Sequence, residues 1–264
     1  MGPVMSCGVT ETGVQPDPAD EQTAPEKAGR PSLLDWQKRL NASSGCRAIA
    51  LGDRVKRIGY VFQGNVAQYK SLVAELQNPM VSGPILDVHN PEVHDRLLSE
   101  AERLLHNVLM GMSTRVDQQR CFMKEYFQDD SALMNEYRSK VASMFKNDVE
   151  AKFLKGLRNY ITHAQLPVAQ SRQTFGQESF EITFTLPAEP LLAWSRWSGE
   201  LRAWIAGQGD EIVIVNVVDA YARKAGEIDK WLFDRIALKY RSDIDAYLHE
   251  CVEFDREVDR VFGE

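Results

Sequence analysis

Apolar residues recur at helical spacing along most of the chain, and one short stretch alternates instead. From Val55 to Leu76, the positions Ile58, Val61, Val66, Tyr69, Leu72 and Leu76 mark one face of a helix. A shorter helix is expected over Pro31–Leu40. The stretch "NPMVSGP", rich in proline and glycine, breaks the pattern. Asn90 then reads as a cap with Pro91 at the first helical position. Val93, Leu97, Leu98, Ala101, Leu104, Leu105, Val108, Leu109 and Met112 continue the helical rhythm, which runs on toward Phe127. Another helix starts at Asp130 or Ser131. It leads, through a break near Asn147, into a helix that Pro167 ends, because proline disfavours the α conformation in the residue before it.

The period then changes. In "SFEITFTL", Phe180, Ile182, Phe184 and Leu186 point one way and Glu181, Thr183 and Thr185 the other, the signature of a half-buried strand. With "VAQSRQTF" before it and "GQE" between, a β-hairpin is expected at about 168–186. Helix resumes after Pro190, where Trp194, Trp197 and Trp204 at helical spacing read as core or subunit contact rather than a base-stacking platform. A last helical stretch runs from about Val213 to the end, with a break near Arg241. The expected fold is mainly α, a helical bundle with one inserted hairpin.

The first thirty residues differ. Pro3, Pro16, Pro18 and Pro25 stand among small polar residues, and Glu11, Asp17, Asp20, Glu21 and Glu26 outweigh Lys27 and Arg30. Such a segment buries too little apolar surface to offset its chain entropy, so a disordered tail is expected at 1–30. An N-terminal helical segment at 31–89 and a helical domain at 90–264 complete the organisation.

The whole chain has 264 residues, 44% hydrophobic and 26% charged, which fits one large or two small soluble domains. Its net charge of -7 argues against a general nucleic-acid coat, but leaves room for a local basic cleft. Cys7, Cys46, Cys121 and Cys251 are far apart and form no CxxC pair. Reduced thiols and a cytoplasmic location are expected. No apolar run is long enough to span a membrane, and Met1–Val9 has no secretory pattern. His89 and His94 with Asp87 and Asp95, and His106 with Glu102, read as loop and helix-surface residues rather than metal ligands. Neither metal nor cofactor is expected, and no Gly-rich phosphate loop or GxSxG motif is present.

The candidate chemistry lies in "GLRNYITHAQLPV", Gly156–Val168. At about 100° per residue, Phe153, Leu154, Leu157, Tyr160, Ile161 and Ala164 share one side of the helix. Lys152, Lys155, Arg158, Asn159, Thr162 and His163 share the other, with no carboxylate among them. That is a local positive face in an acidic protein. Asn159 and His163 stack at i and i+4. A histidine can take a proton from a ribose 2′-hydroxyl, arginine offers a fork of donors to phosphate, and asparagine can orient either.

This stretch resembles the HEPN superfamily (higher eukaryotes and prokaryotes nucleotide-binding), whose ribonucleases carry an arginine, often a polar residue, and a histidine after four to six positions. Here "RNYITH" gives R-x4-H at Arg158–His163, in helical context over residues 90–264. The resemblance implies a homodimer and a metal-independent endoribonuclease acting on RNA in a toxin or defence setting. Arg158, Asn159 and His163 would then be catalytic and Lys152 and Lys155 would bind RNA. The alternative is a non-catalytic helical interaction or regulatory subunit with a protein partner.

Overall fold

The computed structural model describes residues 32–76, 78, 91–167, 169–175 and 180–263. The expected tail, most of the Pro/Gly break, His89, the Asn90 cap and the hairpin turn lie outside these residues. The described chain is mainly helical, in the order α1 (Leu33–Ala42), α2 (Ser44–Leu76), α3 (Pro91–Phe127), α4 (Ser131–Phe145), α5 (Val149–His163), β1 (Gln170–Phe175), β2 (Phe180–Pro187), α6 (Ala188–Ala193), α7 (Gly199–Gly207), β3 (Glu211–Val213), α8 (Ile214–Lys239) and α9 (Arg241–Phe262). No helix among the described residues is long and apolar enough to cross a membrane.

Several helices begin where a short polar side chain can take up an orphan amide. Ser32 accepts from the Asp35 amide at 3.1 Å and Asp130 from the Leu133 amide at 2.9 Å. Asp148 accepts from the Glu150 and Ala151 amides at 3.1 and 3.3 Å. Lys224 of α8 also reaches Asp148, at 2.6 Å, which ties the start of α5 to α8.

Among the described residues two compact units divide the chain, one from residues 32–54 with 233–263 and one within 55–232. The division falls inside α2 and α8, and α1 and the start of α2 find their contacts on α9. In the first unit Trp36 meets Phe254 edge to face at 5.6 Å and donates to Glu250 at 3.0 Å. Ser44 donates to Asp243 at 2.9 Å.

The second unit holds one large hydrophobic core, built from α2, α3, α5, the sheet and α8. The expected hairpin is part of a three-stranded antiparallel sheet of order β1-β2-β3, with Leu186 opposite Ile212. β3 is three residues long, too short for alternation to show in a sequence. The strand β2 is not half-buried. Ile182, Phe184 and Leu186 are buried on one face, and Thr183 and Thr185 are buried on the other. Thr185 satisfies its hydroxyl by donating to Glu211 of β3 at 2.7 Å.

The expected single helix through the tryptophans is two helices. Ser198 caps α7, and Trp197 lies in the link, donating to the Leu191 carbonyl at 2.6 Å. Trp197 is buried, and Trp194 and Trp204 pack against the core, as expected of them. Trp197 stacks near Phe153 at 5.7 Å between ring centroids and near Tyr160 at 6.4 Å. This contact needs Gly156: a Cβ there would lie 2.3 Å from a Trp197 ring carbon. Gly156→Ala is therefore expected to destabilise the protein by about 1–3 kcal/mol despite alanine's better helix propensity. Urea denaturation checks this, and a stabilised variant would refute the close packing.

Candidate functional site

A cavity of about 760 Å³ opens within the second unit, inside the usual size range of small-molecule sites. Its floor comes from α3 and α8 and its walls from α4 and α5. Met112, Arg115, Gln119 and Met123 project from successive turns of α3, and Tyr221 and Ile228 from α8. On α4 the cavity takes Met134, Tyr137, Arg138, Val141, Ala142 and Phe145, a single helical face, and then Lys146 at the C-cap. On α5 it takes Ala151, Lys152, Lys155, Arg158 and Asn159, again one face.

Four of the five residues expected at the site thus line one cavity. The buried side of α5 carries Phe153, Leu154, Leu157 and Tyr160, so its polar side is turned to the opening. His163 does not line the cavity. It is exposed in the last turn of α5, which ends at the C-cap Ala164. His163 continues the stripe of Lys152 and Asn159 one turn further, about 6 Å along the axis from Asn159. Arg158 thus lines the cavity and His163 lies outside it.

Arg115, Arg120, Arg138, Lys146, Lys152, Lys155 and Arg158 line the cavity against a single carboxylate, that of Asp117. Three of these cations are paired. Arg115 meets Asp229 at 2.6 Å, Lys152 meets Glu200 of α7 at 2.8 Å, and Arg120 lies 3.6 Å from Asp117. The positive face of α5 is thus partly neutralised from α7, a contact no local pattern reveals. Arg138, Lys146, Lys155 and Arg158 enter no ion pair among the described residues. Arg158 donates from Nη1 to the Asn159 side chain at 3.2 Å, so Asn159 orients the guanidinium rather than the His163 ring. The Arg158 Nε is buried with no hydrogen-bond partner. An unmatched donor of a charged group at a cavity wall is a place where an anion would be welcome.

The floor is polar but closed on itself. Arg115 donates to both carboxylate oxygens of Asp229, at 3.0 and 2.6 Å, and to the Ala225 carbonyl at 2.7 Å. Gln119 donates to Asp229 at 3.0 Å and accepts from the Tyr137 hydroxyl at 3.1 Å. Burial raises the hydroxyl pKa values of Tyr137 and Tyr221, so both stay protonated donors at neutral pH.

Sequence reasoning missed Arg138, Lys146 and the Arg115–Asp229 floor. One signal was available: Arg138 falls on the same helical face as Val141 and Phe145, where a solvated helix would place cations opposite its apolar residues. Among the described residues no cluster of three or more histidines, cysteines or carboxylates is placed to hold a metal ion. No family model, curated protein or solved structure matches the chain, so what the site does has to be read from its own geometry.

Proposed function

We propose that the protein is a helical ligand-binding protein that captures a phosphate-bearing molecule in the cavity between α3, α4 and α5. Arg158 holds the phosphate, and Lys155, Lys146 and Arg138 supply the surrounding positive potential. The observation that carries this reading is the buried, unpartnered Nε of Arg158, in a residue that lines a cavity with four unpaired cations.

The test is a titration of inorganic phosphate against wild type and Arg158→Ala. A hydrogen bond to a charged group contributes roughly 1.5–3 kcal/mol, so the variant should bind about 10- to 100-fold more weakly. Arg158→Lys should recover only part of this, since lysine lacks the guanidinium fork. Equal binding by wild type and Arg158→Ala at matched melting temperature would refute the assignment.

A second reading is favoured by the position of His163. An RNA strand with one phosphate on Arg158 could run along the α5 stripe and meet His163 one turn on. The likeness of Arg158, Asn159 and His163 to the HEPN motif supports this reading, as a metal-independent endoribonuclease. In a homodimer, the assembly that likeness implies, the partner's copy of this stripe could complete the site.

A further inference from the structure

We infer that the ligand of the cavity is an amphipathic anion, with a phosphate head at Arg158 and a hydrocarbon body lying between α3 and α4 against the apolar side of α4. The inference rests on the anion-binding reading of the same cavity and adds the part of the ligand that the phosphate does not account for. Three observations carry it.

First, charge and apolarity are separated inside the cavity. The unpaired cations Arg138, Lys146 and Lys155 are exposed, while Met134, Val141 and Phe145 of α4 and Val116 of α3 are apolar lining residues left half-buried. A fully polar anion would leave that apolar lining uncovered. Second, the polar groups of the floor are already spent on each other. Both sides of the Gln119 amide are engaged, and Arg115 is engaged with Asp229 and the Ala225 carbonyl. A ring that needs its edge read by hydrogen bonds, such as a nucleobase, finds no uncommitted partner among these groups, and burying it there would leave its own donors unmatched. A chain of methylenes demands none. Third, the half-buried Met134 supplies a thioether that adapts to an irregular apolar chain.

The experiment compares inorganic phosphate, octyl phosphate below its micelle concentration, and adenosine monophosphate by isothermal titration. Each buried methylene is worth roughly fourfold in affinity, so about four of them already give more than a hundredfold. Octyl phosphate is expected to bind wild type at least about a hundredfold tighter than inorganic phosphate, and tighter than adenosine monophosphate. Met134→Gln, on the half-buried wall, should cut octyl phosphate affinity by about tenfold and leave inorganic phosphate unchanged. Arg158→Ala should weaken both. If octyl phosphate and inorganic phosphate bind equally, the hydrocarbon body is wrong and the anion reading stands. If adenosine monophosphate binds tightest, the floor takes a base and the inference is overturned. If no probe binds, both readings fall. If Met134→Gln changes nothing while melting normally, the chain does not lie on the α4 wall and the inference is overturned.

Discussion

Asp229→Ala is expected to lower the unfolding free energy by about 3–5 kcal/mol, the largest stability effect of any single substitution near the cavity. The Asp229 carboxylate accepts two hydrogen bonds from Arg115 and one from Gln119. The Arg115 side chain is 2% exposed and that of Asp229 15%. Removing the carboxylate leaves the buried guanidinium with neutral partners only, the Ala225 carbonyl and the Tyr221 hydroxyl, which is far worse than never having had the pair. In a protein of this size the melting temperature should fall by roughly 10 °C. The double replacement Arg115→Met with Asp229→Leu should recover most of the loss, because neither buried charge remains. Thermal and urea unfolding of the three variants measures this. A loss below about 1 kcal/mol for Asp229→Ala would mean that the floor network does not hold α3 to α8.

On a mixed RNA pool, the two readings of the site separate sharply. If the α5 stripe cleaves RNA, His163 takes the proton of a 2′-hydroxyl and the 2′-oxygen bonds to phosphorus. The 5′-oxygen then leaves with its electron pair and is protonated by water, giving a 2′,3′-cyclic phosphate end. His163→Ala should then reduce the rate by about 10²–10⁴-fold, as expected for loss of a general base. Arg158→Ala should do comparable harm through lost charge stabilisation, and the reaction should survive EDTA. The ligand-binding reading expects the opposite of His163. His163 lies outside the cavity, so His163→Ala should change phosphate affinity by less than about twofold while Arg158→Ala changes it 10- to 100-fold. Wild type that cuts no RNA but binds phosphate sinks the cleavage reading. Wild type and His163→Ala cutting at equal rates would remove His163 from any mechanism.

Much of the helical framework was legible because it is written locally. The buried side of α5, with Phe153, Leu154, Leu157 and Tyr160, follows from residue spacing alone. Asp130 announces α4 by its capping chemistry. What was illegible depends on contacts between distant segments. The expected gap between the first two helices is only the single residue Ser43, since α2 begins at Ser44 and not near Val55. Gly45 and Gly52 weaken the helical signal there, yet each sits where a neighbour leaves little room for a side chain, Gly45 against Asp243 and Tyr247 and Gly52 against Phe233. β3 has too few residues to show a period, and the burial of Thr185 follows only from Glu211, which lies across that strand pair. At the site, the cations of α5 could be read from the wheel. That α4 would bring Arg138 and Lys146 to the same opening could not, because it depends on how two helices pack on a third. Nor could the pairing of Lys152 with Glu200.

The central claim is that the guanidinium of Arg158 awaits an anion. Its most direct test is the arginine Nε–H region of the ¹H–¹⁵N NMR spectrum during a phosphate titration, with the Arg158 signal identified by its loss in Arg158→Lys. The account predicts that this resonance shifts progressively and saturates, ahead of signals from exposed arginines such as Arg241 and Arg256. An Arg158 Nε–H signal that stays in place while those of surface arginines move would contradict it.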